Sequence, residues 1–203
     1  MTESDQTPEE KAKISLIQRI KRGEKNLSGI DLSGVDLSGA NLDGIDLSGV
    51  DLSKANLRGI DLSGVGLSKA NLREANLSFV DLILANLSGS NLSRAELSSA
   101  NLSGSNLSSA TLSRAKLNSA DLSWTKLNSA DLSWADLNSA DLNSADLSGA
   151  NLSWTNLSGS DLRFANLSRT KFENATVTQA RFGHNQGIDE AQKADLIKRG
   201  AKF

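Results

Sequence analysis

The chain has 203 residues, a net charge of −2 at pH 7 and no cysteine. The absence of cysteine excludes a disulfide framework, a thiolate metal site and a thiol nucleophile, and the near-zero charge gives no overall attraction to nucleic acid or to an anionic membrane. With one histidine and no tyrosine, the sequence has few catalytic side chains. We therefore expect a non-enzymatic protein that needs no cofactor and binds neither nucleic acid nor membrane directly.

The first segment, residues 1–25, has the signals of a short helix. The motif TPEE at 7–10 fits an N-cap threonine, a proline in the first turn and a capping-box glutamate. Isoleucine recurs after it at helical spacing, and Gly23 ends the pattern. The sequence predicts a helix over about 8–22 that lies across the end of the following domain. The segment has no continuous apolar stretch, so we expect no signal peptide and a cytoplasmic protein.

From residue 26 onward the sequence repeats every five residues without insertion. Leucine recurs from Leu27 to Leu167, and Phe172, Val177 and Phe182 complete a series of 32 repeats. We number the positions of each repeat from this residue, as −2, −1, 0, +1 and +2. Position −1 is mostly Asp or Asn, position −2 is small or β-branched, and position +1 is mostly Ser.

A period of five fits neither regular structure. In a helix the leucines would spread around the whole cylinder, and in a strand they would alternate between the two faces. Ser, Gly, Asn and Asp are common in turns, so each repeat must contain a turn that brings the next leucine back to the interior. Such a chain forms a solenoid with one continuous core. Periodicity alone leaves open whether one lap has three repeats or four.

The runs ANLREANL, ANLSGSNL and SADLNSADLSGANL resemble the pentapeptide-repeat family, whose signature is A(D/N)LXX. The resemblance covers residues 26–183, and the terminal run GIDEAQKADLIKRGA is similar to the tail of cyanobacterial members. It implies an all-β solenoid, a right-handed quadrilateral β-helix of about eight coils with short α-helices at both ends. One lap would then be four repeats, so residues 20 apart would stack on one face.

The last segment, residues 184–203, predicts a helix over about 189–199. Asp189 is the expected N-cap and Gly200 ends the pattern. The apolar surface expected to cover the last coil is supplied by Ala191, Ala194, Leu196 and Ile197. A homodimer formed through one of the end caps is an alternative use of such a surface.

Position +2 predicts two kinds of turn. Glycine occupies it in most repeats from Gly29 to Gly64, which favours a type II turn because that turn needs a positive φ there. The middle repeats carry Ser, Arg and Trp at +2. This composition predicts a different turn, tolerant of a Cβ, in that half of the chain.

Stacking at 20 residues places the candidate surface residues in columns. One column at position −1 is acidic and consists of Asp61, Asp81, Asp121, Asp141 and Asp161, interrupted by Asn101. The same face carries Trp124 and Phe164 at +2. Trp134 and Trp154 are expected to stack on another face, where Arg94 and Arg114 continue their column and Arg114 is placed for a cation–π contact with Trp134.

Two functions fit these columns. The favoured one is a structural scaffold that presents a rod-like surface, with the tryptophans as an interaction hot spot, to an unidentified protein partner. The alternative is a DNA mimic that binds a type II topoisomerase such as DNA gyrase, because some members of the resembled family protect gyrase in this way. Residues 26–182 carry a net charge of −4, which is weak beside one charge per about 1.7 Å of duplex.

Overall fold

A computed structural model describes residue 27 and residues 30–203. The predicted helix over about 8–22 lies outside these residues. Nearly every described −1 residue forms a parallel bridge with the residue 20 positions later, from Asp31 with Asp51 to Asn166 with Gln186. One lap of the coil is therefore four repeats, and the coil has four sides. The strand on each side is a single bridging residue between two turns.

Backbone hydrogen bonds join each side to the same side of the next coil. Leu52 N donates to Asn71 O at 2.8 Å, and Lys54 N donates to Arg73 O at 2.9 Å. In the opposite direction Asn71 N donates to Val50 O at 3.0 Å. Because this pattern recurs along the rod, successive coils are held at the spacing of paired strands, about 4.8 Å.

The turn at the corners is the same along the whole described rod. Every +2 residue from 34 to 179 has a φ between +55° and +73°, and the first residue of the next repeat donates its N–H to the leucine carbonyl, as Ala120 does to Leu117 at 3.0 Å. These features define a type II turn. The predicted change of turn type in the middle repeats is therefore wrong.

The turn is uniform because the backbone hydrogen bonds between coils, and not the +2 side chain, determine the conformation of each corner. Arg114 and Trp124 have φ values of +61° and +60°, close to the +67° of Gly34. A left-handed conformation costs a residue with a Cβ about 1–2 kcal/mol. Each corner also takes part in backbone hydrogen bonds to its own leucine and to the next coil, and these outweigh the local cost.

The interior is filled by positions 0 and −2. Leucine at position 0 is at most 1% exposed from Leu27 to Leu167. Where position −2 is Ser or Thr, the hydroxyl usually donates to the carbonyl of its own turn, as Ser90 does to Leu87 at 2.7 Å and Thr125 does to Leu122 at 2.6 Å. Ser105 differs, because its buried hydroxyl has no hydrogen-bond partner.

Helix α1, Glu190–Lys198, follows the last coil where the sequence predicts a helix over about 189–199. The Asp189 carboxylate accepts the Gln192 N–H at 2.7 Å, so Asp189 is the N-cap. Of the four apolar residues expected to face the core, Leu196 is buried and the other three, Ala191, Ala194 and Ile197, are exposed. In the part of the chain that the structure describes, no helix has the length and apolarity needed to cross a lipid bilayer.

The four residues after Arg199 cover the part of the last coil that α1 leaves exposed. Lys202 bridges to Arg181 as an added piece of coil, and Phe203 stacks on Phe182 with ring centroids 5.1 Å apart. The Arg199 guanidinium donates to the carbonyls of Phe172 and Ala175. The last coil is thus covered by Leu196 and the tail together, which explains why α1 keeps one apolar stripe exposed.

Candidate interaction surface

Each side of the rod presents three outward columns, formed by position +2 of the preceding corner, position −1 and position +1. Position −1 has a structural task on all four sides. Its side-chain oxygen accepts the N–H of the residue two positions later, as in Asp31 with Ser33 at 2.8 Å and Asp121 with Ser123 at 2.9 Å. This local bond explains why Asp and Asn dominate position −1.

Asn at position −1 has a second task, which links the coils. The amide of Asn71 donates to the Asp51 carboxylate at 3.1 Å, and that of Asn156 donates to Asp136 at 2.9 Å. On these sides a carboxylate is followed, one coil later, by an amide that donates a hydrogen bond to it. The alternation of Asp and Asn along a column is therefore partly a hydrogen-bonding pattern between coils.

The acidic column departs from this pattern. Asp121 bridges to Asp141, and Asp141 bridges to Asp161, so three carboxylates follow one another without an intervening amide. Asp61 and Asp81 are paired in the same way in earlier coils of the column. The Ser63 hydroxyl and N–H hold the pKa of Asp61 below its ordinary value. The local turn bond explains each aspartate alone but not this succession of like charges, which are expected to repel.

Asp161 is neutralised at one end of the column. Arg163 Nη2 and Arg181 Nη2 both lie 2.7 Å from Asp161 Oδ2, and the Asp161 side chain is 10% exposed. The hydrogen bond from Arg163, opposed by partial burial, is the main cause that lowers the pKa of Asp161, and the same pairing raises the pKa of Arg163. Asp161 is thus a structural residue, whereas Asp81, Asp121 and Asp141 have no ion pair within residues 30–203.

The predicted stacking of Trp134 and Trp154, here called the tryptophan pair, is present in the structure. The ring centroids are 4.8 Å apart and the ring planes differ by 2°. The two side chains are 54% and 49% exposed. Their separation matches the spacing of the coils, because both rings extend from the same corner of successive coils. The pair offers a rigid aromatic surface that solvent covers on its outer edge.

The predicted cation–π contact between Arg114 and Trp134 is wrong. In the described chain the cation–π contacts are those of Arg58 with Phe79, at 4.8 Å to the ring centroid, and of Lys193 with Phe203. An exposed contact of this type contributes about 0.5–1 kcal/mol, which is comparable to the entropy lost in ordering an arginine side chain. Arg94 forms an ion pair with Glu74 at 3.5 Å instead of extending toward the tryptophans.

A second apolar surface lies along the corner beside the acidic column. We call it the ridge, and it consists of Leu84, Trp124 and Phe164, which are 71%, 70% and 53% exposed. Phe164 stacks on His184 with centroids 5.1 Å apart, while Trp124 has no ring partner among the described residues. The sequence analysis predicted neither the stacking of Phe164 on His184 nor the contact of Arg58 with Phe79. The first could have been predicted, because Phe164 and His184 are 20 residues apart and so lie on the same corner of successive coils.

Gly66 is the glycine at position −1, and the structure shows what its missing side chain permits. A Cβ at this position would lie 2.8 Å from Asp46 Oδ1. That oxygen accepts the Ser48 N–H at 3.0 Å, and the Ser48 hydroxyl and N–H lower the pKa of Asp46. The glycine therefore leaves room for a carboxylate of the preceding coil. Within the described residues no group of three or more His, Asp or Glu side chains is placed to hold a metal ion.

Comparison with known proteins settles the family. The model for pentapeptide repeats matches eight copies, over residues 26–65, 70–108, 105–143 and 145–183. The chain belongs to the pentapeptide-repeat family. Its fold is therefore the right-handed quadrilateral β-helix implied by the sequence, with the corners and columns described above. A search of the curated proteins finds no match.

Solved structures of other pentapeptide-repeat proteins are similar. A trypsin-treated variant of QnrB1, a plasmid-mediated fluoroquinolone resistance protein, is 20% identical with a TM-score of 0.58, and the match covers 83% of this chain and 94% of QnrB1. Rfr23 from the cyanobacterium Cyanothece 51142 is 34% identical over 63% of this chain and 83% of its own length, with a TM-score of 0.41. The likeness to QnrB1 shows the shared fold.

Proposed function

We propose that this pentapeptide-repeat protein is a non-enzymatic cytoplasmic scaffold, of the cyanobacterial type, that presents its surface to a protein partner. The observation that carries the proposal is the tryptophan pair, two stacked rings about half exposed. Large rigid aromatic side chains on a surface are the residues that most often dominate protein–protein binding energy. The terminal run GIDEAQKADLIKRGA, which is similar to the tail of cyanobacterial members, supports the cyanobacterial type.

The form of the rod supports a binding function over catalysis. Catalytic groups normally need a concave site that excludes water, whereas the depressions in the described surface, such as the one of about 410 Å³ beside Ser148 and Gly149, are open to solvent. The experiment that tests the scaffold is affinity capture from the native cell with the wild type and with a variant carrying both Trp134→Ser and Trp154→Ser. Phe79→Ser is a matched control, because Phe79 is an aromatic residue of similar exposure, 55%, on another corner.

The alternative is a DNA mimic directed to a type II topoisomerase such as DNA gyrase. The stacked carboxylates of Asp121 and Asp141 favour it, as does the fold shared with QnrB1. Against it, one carboxylate per coil is one charge per about 4.8 Å, whereas a duplex carries one per about 1.7 Å. A gyrase supercoiling assay tests the alternative, and no inhibition or protection at micromolar protein removes it.

The proposal includes a homodimer formed through an end cap. Ala191, Ala194 and Ile197 form an exposed apolar stripe on α1, and Ile197 is 49% exposed. Size-exclusion chromatography with light scattering tests it over a range of protein concentrations. A dimer that Ile197→Ser converts to a monomer supports the end-cap interface, and a wild type that stays monomeric at every concentration removes it.

A further inference from the structure

The ridge repeats every two coils and lies beside the acidic column. A large apolar residue follows an aspartate by three positions in every second coil, at Asp81 and Leu84, Asp121 and Trp124, and Asp161 and Phe164. The coils between them carry Gly104 and Ser144 at the corner. The same corner therefore alternates between a projecting apolar side chain and a small residue, with a carboxylate column at its side.

The small residues leave gaps along the ridge. Leu84 leans toward the first gap, because a Cβ at Gly104 would lie 2.8 Å from Leu84 Cδ2. The second gap, at Ser144, lies in the coil between those of Trp124 and Phe164, so an exposed aromatic side chain stands on either side of it. Proline-rich segments dock in grooves lined by aromatic side chains, and the gap at Ser144 has an aromatic side chain on either side.

The charges beside the ridge favour a basic ligand. Asp121 and Asp141 each use Oδ1 to accept a turn N–H, at 2.9 Å and 2.8 Å, and their second oxygens accept no hydrogen bond within residues 30–203. Arg163, which lies in the adjacent +1 column, is bound to Asp161. On the other flank of the ridge the −1 column has one cation, Lys126, followed by Asp146. The flank toward Asp121 and Asp141 is thus the acidic one.

The spacing of the ridge discriminates between ligand conformations. Two coils correspond to about 9.6 Å. Three residues of a polyproline II helix rise about 9.3 Å, whereas seven residues of an α-helix, after which the same face returns, rise about 10.5 Å. Over the four coils from Leu84 to Phe164 the mismatch is about 0.6 Å for polyproline II and about 1.8 Å for an α-helix.

We propose that the ridge, together with Asp121 and Asp141 of the acidic column, binds a basic protein segment in the polyproline II conformation. Its prolines pack on Trp124 and Phe164, and an arginine or lysine of the triplet that lies against Trp124 pairs with Asp121 or Asp141. A polyproline II helix has three residues per turn, so one position in three contacts the ridge while its neighbour faces the carboxylates. The inference rests on the proposed scaffold function, and it names the chemistry of a partner for a surface separate from the tryptophan pair.

Fluorescence anisotropy of a labelled peptide tests the proposal with the full-length chain. The probe is a peptide of four repeats of the triplet proline-proline-arginine. We expect saturable binding that weakens as salt is added, and a loss of affinity of roughly tenfold or more for Trp124→Ser and for the double variant Asp121→Asn with Asp141→Asn. Phe79→Ser is the matched control, because Phe79 is an aromatic residue of similar exposure on another corner, and it should bind the probe as the wild type does.

Three results would overturn the proposal. The first is no saturable binding of the probe by the wild type. The second is equal or tighter binding of an α-helical peptide with the same charge, or of a peptide in which glutamate replaces each arginine. The third is a loss of affinity in Phe79→Ser as large as that in Trp124→Ser. None of these results depends on the native partner, so failure here is distinguishable from failure of the scaffold function, which the tryptophan pair tests separately.

Discussion

Gly66 and Asp46 are packed so closely that a Cβ at position 66 would lie 2.8 Å from Asp46 Oδ1. The two residues occupy the same column in successive coils and form a parallel bridge. Asp46 uses this oxygen to accept the Ser48 N–H. The glycine thus leaves room for the carboxylate of the aspartate one coil earlier.

Gly66→Ala should lower the unfolding midpoint in a denaturant titration, because the new Cβ displaces the Asp46 carboxylate from Ser48. In an Asp46→Ala background the obstacle is gone. There Gly66→Ala should stabilise the protein by about 0.5 kcal/mol, since alanine loses less backbone entropy than glycine on folding. An equal loss in both backgrounds would show that the close approach to Asp46 is not the cause.

Ser105→Ala should stabilise the protein by about 1 kcal/mol. The Ser105 hydroxyl is fully buried and has no hydrogen-bond partner, so its removal relieves a desolvation cost. The matched control is Ser90→Ala at the same repeat position. Ser90 is 1% exposed but donates to Leu87 at 2.7 Å, and its replacement should be neutral or mildly destabilising. Equal effects on the unfolding free energy at both positions would contradict the assignment.

Gly64→Ala should destabilise the protein by about 1 kcal/mol through its backbone alone. Gly64 has a φ of +70°, and nothing lies within 4 Å of a Cβ built at this position. The cost is therefore that of a left-handed conformation, which Asn tolerates better than Ala. Gly64→Asn should accordingly lose less than Gly64→Ala. A neutral Gly64→Ala would indicate that the corner can adopt another turn, against the uniform turn seen along the rod.

The stability supplied by Asp161 should depend on pH. Arg163 and Arg181 lower the pKa of Asp161, so its contribution is present above the unfolded-state pKa of about 3.9 and is lost as pH falls through the lowered native value. Asp161→Asn should cost about 1 kcal/mol at neutral pH, a modest figure because both guanidiniums are about half exposed. The difference from wild type should vanish in strong acid.

Asp121→Asn is the matched control for Asp161→Asn in the same column. Asp121 has no ion pair in the described part of the chain, and an asparagine preserves its acceptor for the Ser123 N–H. Its unfolding free energy at neutral pH should therefore stay close to that of the wild type. A loss at Asp121 as large as that at Asp161 would mean that the two arginines are not what stabilises Asp161.

The coil was predictable because each position of the repeat has its own physical task. Leucine fills the core, a small residue at −2 lets the sides approach, and the −1 oxygen accepts a turn N–H, as Asp121 does from Ser123. The number of sides was not predictable from periodicity, because laps of three or four repeats bury the leucines equally. Resemblance to the pentapeptide-repeat family decided it.

Surface contacts were predictable only where the backbone determines them. Trp134 and Trp154 stack because the ladder holds their corners one coil apart and each side chain has only two torsions. The side chain of Arg114 has more rotatable bonds, and the weak attraction of an exposed cation–π contact does not offset the entropy lost in ordering them. The predicted contact is therefore absent. The error about the corners has the opposite cause, because cooperative hydrogen bonding between coils overrode the local preference for glycine.

Binding of a native partner through the tryptophan pair is the most direct test of the scaffold function. A protein captured from the native cell would be purified, and its affinity for the rod measured by calorimetry. We expect wild type and Phe79→Ser to bind it equally and the variant with Trp134→Ser and Trp154→Ser to bind roughly tenfold or more weakly. Equal affinity of all three proteins would contradict the account. So would the failure of the wild type to capture any protein that binds it directly.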